Sequence, residues 1–136
     1  MMDMYNKCLQ IATEAHHGQT RWDGSPYINH PVAVASKFTD ERLKCIAVLH
    51  DVMKDTGCDR QSLLVKGVRL DIVVMVDVLS RMESESYTSF IIRICQMPSA
   101  VKVKIEDIKH NLIGLKKGCR KDKYELALLI LERSLR

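Results

Sequence analysis

The sequence predicts an all-α bundle on three observations. Apolar residues recur at helical spacing through most of the chain, as in Cys8, Ile11, Ala12 and Ala15 or Ile105, Ile108 and Leu112. Breakers are few, with 3 Pro and 6 Gly. Strand signals are sparse. The length, 136 residues, suits one domain spanning residues 1–136, and 46% apolar with 28% charged residues is a globular rather than a disordered composition.

A first helix is expected over residues 4–19, with Gly18 weakening its end. Residues 20–29 hold Gly24 and Pro26 and read as a loop. Pro31 sits near the first turn of a second helix that closes around Phe38. Asp40 is the expected N-cap of a third, with Leu43, Ile46, Ala47 and His50 inward and an end near Asp55, Thr56 and Gly57. A short helix over 59–66 precedes Gly67. Residues 70–81 are assigned to a buried helix on length, although Ile72, Val73 and Val76 are β-branched and favour strands. Ser84 is expected to cap a helix carrying Tyr87, Phe90, Ile91 and Ile94. Pro98 starts the next, with Val101, Ile105, Ile108, Leu112 and Leu115 at helical spacing. A last helix from about Asp122 has Ala127, Leu128, Leu131 and Leu135 on its apolar face.

Composition narrows the function classes. No apolar run reaches the length of a membrane span, and Asp71 and Asp77 interrupt the best candidate. Residues 1–5 have neither a basic start nor an apolar stretch, so no secretory leader is expected. The net charge of +4 is mildly basic, and part of the excess lies in residues 116–123, read as a solvated loop with phosphate or nucleic-acid contact as the alternatives. The five cysteines are odd in number and form no C-x-x-C pair. Neither a disulfide framework nor a zinc knuckle is indicated, Cys45 and Cys95 read as buried thiols, and a reducing cytoplasm is the expected compartment.

Three places can carry chemistry. His50 and Asp51 are adjacent at the inner end of an apolar run, where a carboxylate is costly to bury without a partner. A metal ion would supply that partner, and imidazole with carboxylate suits manganese, iron or zinc. The alternative is a helix end where both side chains meet water. His30 lies at the start of a helix, where it can equally cap a neighbour. Asp107 and Asn111, four residues apart, share a helix face beside the apolar stripe, or form an exposed polar edge.

In order and flanks these positions match a known pattern. Residues 15–31 read A-H-H-G-Q-T-R-W-D-G-S-P-Y-I-N-H-P against A-H-x-G-Q-x-R-x-x-G-x-P-Y-I-x-H-P. Residues 49–56 read L-H-D-V-M-K-D-T against L-H-D-V-x-E-D-T, and residues 104–112 read K-I-E-D-I-K-H-N-L against K-L-A-D-x-x-H-N. The chain thus resembles the HD-domain metal-dependent phosphohydrolases, with their H…HD…D ligand set. More narrowly it is similar to the hydrolase domain of RelA/SpoT-type alarmone enzymes and their small stand-alone relatives. The first segment is specific to that branch.

The resemblance implies an HD-domain helical bundle and a divalent metal, usually Mn2+, held by His30, His50, Asp51 and Asp107. It places Arg21 near a guanine base, Asn111 against the nucleotide, and Lys104 as a further substrate contact whose alternative is a surface lysine. The implied reaction is removal of the 3′ pyrophosphate from a guanosine bearing pyrophosphates at its 5′ and 3′ positions. One departure stands at the catalytic pair, where Lys54-Asp55 replaces an acidic pair that positions or activates water. Asp55 would do this work alone. A charged ammonium at Lys54 repels a cation and accepts no proton, but can bind a substrate phosphate. Two alternatives follow: a metal- and nucleotide-binding module with impaired turnover, and an HD phosphohydrolase for another nucleotide. The implied partner is a small-molecule nucleotide. No membrane and no specific nucleic acid is expected, a homo-oligomer is allowed, and no synthetase domain is expected in 136 residues.

Overall fold

Local signals start each helix. The computed structural model describes residues 2–115 and 117–136, the Asp55 side chain excepted. In α1 (Met4–Ala15) the Asp3 carboxylate accepts the Asn6 amide at 2.7 Å. In α2 (Asn29–Ala35) Pro31 occupies the first turn, where a missing N–H costs no helical bond. Asp40 caps α3 (Glu41–Leu49), accepting the Leu43 amide at 2.9 Å. A single turn, α4 (Val52–Asp55), follows. Asp59 caps α5 (Arg60–Val65) at 2.8 Å, and α6 (Leu70–Val78) runs after it. Ser86 caps α7 (Tyr87–Ile94), Pro98 opens α8 (Pro98–Leu112), and α9 (Cys119–Ser134) closes the chain. Among the described residues the fold is all-α, as expected, and no helix is long and apolar enough to cross a membrane.

Several boundaries move for identifiable reasons. α1 stops four residues short of the expected Gln19, because the His17 amide bonds only three residues back, to Glu14, and Gly18 turns the chain at φ +82. α2 ends before Phe38 in bonds that span three residues, Lys37 to Val34 and Phe38 to Ala35. The third helix does not run on to Asp55: it breaks at Asp51, whose φ of −107 and ψ of 1 leave the helical region. α6 ends at Val78 because the Val78 and Ser80 carbonyls accept instead from Arg93, at 3.0 and 3.2 Å. The cap of α7 is Ser86 rather than Ser84, since the intervening turn is closed by Glu85 accepting the Met82 amide. α9 begins at Cys119, three residues before Asp122, after Gly118 swings the backbone through φ +116. Cys45 is buried as expected, whereas Cys95 is only half-buried.

α3 is the centre of the molecule. Cys45, Ile46, Ala47, Val48 and Leu49 are all fully buried, and α1, α2, α6 and α8 pack around them. α6 shows why β-branched residues can still be helical. Ile72, Val73 and Val76 forfeit under about 1 kcal/mol each in helix propensity, but full burial of each returns about 1.5–3 kcal/mol. Truncation should therefore be felt most at α3. Ile46→Ala is expected to cost about 2–5 kcal/mol in urea unfolding, whereas Leu129→Ala, 49% exposed on α9, should cost no more than about 0.5 kcal/mol.

Candidate functional site

The packing of α2, α3 and α8 brings three polar side chains into an apolar centre. Val34 and Ala35 hold α2 against α3, which fixes His30 in the first turn of α2. His50 is the C-cap of α3, and Asp107 stands midway along α8. All three are buried, His50 and Asp107 to 2% and 3% exposure. His30 Nε2 lies 2.8 Å from Asp107 Oδ1, and His50 Nε2 lies 3.3 Å from the same oxygen. One ligand atom from each of the three falls within 4.8 Å of the others. Asp51 adjoins the group through His50, with Oδ2 3.2 Å from His50 Nε2, and the Tyr27 hydroxyl donates to that same Oδ2.

The donor set fits a divalent cation. His50 Nδ1 is 2.6 Å from the Ala47 carbonyl and must donate to it, which leaves Nε2 as the free nitrogen. That Nε2 is buried and makes no hydrogen bond, while two carboxylates stand beside it. Neutral imidazole and carboxylates around one point are the ligand types of zinc, iron and manganese sites. His30 fits as well. Its Nδ1 lies 2.7 Å from His110 Nδ1, and Arg21 Nη1, which can only donate, approaches that same His110 nitrogen at 3.4 Å. With His110 Nδ1 as acceptor, His30 carries its proton on Nδ1 and presents a bare Nε2 toward Asp107. A cation between those two acceptors relieves their repulsion, and His110 becomes the outer partner that orients the ligand ring.

The charges within the cluster follow from these distances. Burial disfavours charge on His50, but the Asp51 and Asp107 carboxylates outweigh it and raise its pKa well above the ordinary value. Burial holds His30 below the ordinary range, against the pull of Asp107. Burial also works against the Asp107 carboxylate, yet Lys104, His50 and His30 keep it well below the usual range. Asp51 is likewise lowered by His50 and Tyr27 despite its burial. Both carboxylates are therefore ionised and available as ligands at neutral pH.

Asp107 organises the next layer. Its Oδ2 accepts Lys104 Nζ at 2.8 Å and its Oδ1 accepts Asn111 Nδ2 at 3.1 Å. Asn111 in turn accepts Arg21 Nη2 at 3.0 Å through Oδ1. Lys104 is thus neither a free surface lysine nor an unattached phosphate hook, since its ammonium is bonded to a carboxylate within a cavity wall. The cavity, about 840 Å³, opens over His50, Asp51 and Asp107. Among the described residues six cationic side chains line it, Arg21, Lys54, Arg81, Lys104, Arg120 and Lys123, against three acidic ones, Asp51, Glu83 and Asp107. Such an excess in a concave, partly apolar wall focuses a positive potential and selects an anionic ligand.

The expected site residues mostly converge. His30, His50 and Asp107 form one cluster, Asp51 touches it, and Arg21, Lys104 and Asn111 are bonded around it. Lys54 is exposed and lines the same cavity, while the side chain of its neighbour Asp55 lies outside the described residues. The basic stretch is largely exposed, as expected, but only in part a loop. Lys116 lies outside the described residues, but residues 119–123 belong to α9, and Arg120 and Lys123 face the cavity. Sequence reasoning assigned no role to Tyr27 or His110, though both stand inside the matched motifs. It also passed over Tyr87, which lines the cavity with a buried, unbonded hydroxyl.

No protein-family model matches the chain. Among curated proteins it is 34% identical over 117 residues to the bifunctional (p)ppGpp synthase/hydrolase SpoT of Escherichia coli (strain K12), covering 75% of this chain and 16% of SpoT. It is 32% identical over 117 residues to the guanosine-3′,5′-bis(diphosphate) 3′-pyrophosphohydrolase of Haemophilus influenzae, covering 75% of this chain and 17% of that one. It is 29% identical over 140 residues to the GTP pyrophosphokinase rsh of Brucella suis, covering 91% of this chain and 18% of that one. The chain therefore spans only 16–18% of the length of these relatives. A solved structure described as a metazoan ortholog of SpoT that hydrolyzes ppGpp superposes with a TM-score of 0.79 at 24% identity, over 100% of this chain and 87% of that one, and so shares the fold. The chain is a homologue of the SpoT/RelA proteins over one segment of their length, folded as an HD-type helical domain.

Proposed function

We propose that the chain is a metal-dependent phosphohydrolase that removes the 3′ pyrophosphate from a guanosine 3′,5′-bis(pyrophosphate)-type nucleotide. The observation that carries this reading is the buried, unbonded His50 Nε2 between two carboxylates, set in the floor of a cationic cavity. His30, His50, Asp51 and Asp107 would hold the ion, with Mn2+ as the proposed metal. A bound divalent ion supplies Lewis acidity toward water and phosphoryl oxygens. The chain's own residues do the rest. Tyr27 and His110 aim Asp51 and His30. Arg21, tied to Asn111, offers a flat guanidinium to a guanine base. Lys54, Arg81, Arg120 and Lys123 neutralise phosphate charge. On its place in the matched motif alone, Asp55 would orient the attacking water. The names of relatives at 34% and 32% identity carry the same substrate. Five free cysteines suit a reducing cytoplasm as the site of action.

One observation favours a second reading. Lys54 places an ammonium on the cavity wall where a water-activating carboxylate is expected, which suits a metal- and nucleotide-binding module with impaired turnover. A panel of nucleotides separates the readings, including hydrolysis of a different nucleotide. Purified chain with Mn2+ should release pyrophosphate from guanosine 3′,5′-bis(pyrophosphate), lose that activity in EDTA and regain it with excess Mn2+. Nucleotide binding without release by any substrate assigns the module. Absence of binding to every nucleotide overturns both.

A further inference from the structure

Trp22 is the chain's single tryptophan and lies in the loop between α1 and α2, directly after Arg21. It is 76% exposed, and among the described residues it is the one exposed aromatic side chain. Exposed aliphatic residues such as Val65, Ile92 and Leu126 lie away from the cavity, whereas Trp22 forms part of its wall. The indole edge lies beside Gly114. Its Cζ2 stands 3.6 Å from the point where a Cβ on Gly114 would lie, just past the C-terminal end of α8.

α8 gives the cavity a direction. Lys104 and Leu112 are about 12 Å apart along the helix axis, with Asp107 and Asn111 between them. Two of the cations, Lys104 and Lys123, lie at the Lys104 end. Lys104 Nζ sits 5.2 Å over the Phe90 ring, and Lys123 Nζ sits 4.3 Å over Tyr87, which stacks edge-on with Phe90. Trp22 sits at the other end, over Gly114. One end of the cavity thus holds Lys104 and Lys123, the other an exposed indole beside Arg21, and the candidate metal ligand Asp107 lies between them. A nucleotide has the same polarity: a flat base at one end, anionic phosphates at the other and the scissile bond between.

We infer that Trp22, beside Arg21, stacks on the base of a bound nucleotide and makes this cavity select nucleotides over base-free phosphates. This rests on the phosphohydrolase reading above and adds to it a specificity-determining contact at a position where the matched motif requires no particular residue. Stacking on an aromatic face is tolerant of base identity and is lost on truncation to alanine.

The single tryptophan makes the test direct. Guanosine 5′-diphosphate, added with Mn2+ to the full chain, should quench the intrinsic fluorescence, and inorganic pyrophosphate should not. By calorimetry Trp22→Ala should weaken guanosine diphosphate binding about 5- to 140-fold while pyrophosphate binds as before, and Trp22→Phe should restore most of the loss. Unquenched binding with equal Kd in wild type and Trp22→Ala overturns the inference and leaves the functional reading standing. Equal losses for diphosphate and pyrophosphate mean a disturbed loop and also overturn it. A wild-type chain that binds no nucleotide overturns the functional reading and the inference together.

Discussion

Asp107→Asn is expected to lower pyrophosphate release by about 10³-fold or more and to abolish the stabilisation that Mn2+ gives the wild-type chain. The magnitude follows from the role of the ion, whose stabilisation of transition-state charge is worth several kcal/mol, and about 4 kcal/mol is three decades in rate. Asparagine keeps the shape and one oxygen that can face the ion, but removes the negative charge. Lys104 and His50 are then buried beside a neutral amide, and breaking a buried pair in this way costs about 3–5 kcal/mol. A loss of activity alone would therefore be ambiguous. The decisive measurement is the shift of Tm with added Mn2+, because a ligand that binds only the folded state raises Tm by mass action whatever the starting stability. Wild type should shift and Asp107→Asn should not. A variant that keeps both the Mn2+-dependent shift and the rate removes Asp107 from the metal site.

How much of this was legible in the sequence depends on whether a feature is local. The cap at Asp40 and the proline starts at Pro31 and Pro98 act within one turn, and all three were readable. The wrong boundaries are those set from a distance. α6 is cut short by Arg93, fifteen residues beyond Val78, and the third helix breaks at Asp51, whose carboxylate is bonded by Tyr27 twenty-four residues earlier. The site divides in the same way. His30, His50 and Asp107 could be proposed from order and flanking motif, but each alone has an ordinary structural explanation, and only the packing of α2, α3 and α8 makes them one cluster. His110 looked like another polar position on α8. Its use depends on stacking over His30, with ring centroids 4.9 Å apart, a contact no periodicity reveals. The basic stretch was legible only in part for a related reason. Charge suggested a loop, but Gly118 starts a helix that carries Arg120 and Lys123 to the cavity.

Lys54→Glu should raise kcat by about 10²- to 10⁴-fold, the range a positioned general base contributes. α4 makes this position informative. Val52 is fully buried and anchors the turn, while Lys54, two residues on, is exposed on the wall shared with His50 and Asp51. The substitution should cost the fold no more than about 0.5 kcal/mol, because exposed positions without fixed partners rarely matter more. Its kinetic effects should split. A glutamate can accept a proton from water and attract the cation, so kcat rises. It also takes one cation from the phosphate-binding wall and adds a repelling charge, so KM rises too. Lys54→Ala separates these terms: it removes the ammonium without supplying a base, and should raise KM while leaving kcat near wild type. Stopped assays of pyrophosphate release at saturating and low nucleotide give both constants for all three proteins. If Lys54→Glu and Lys54→Ala behave alike, with KM raised and kcat unchanged, then Lys54 serves as a phosphate contact and no general base is missing from that position.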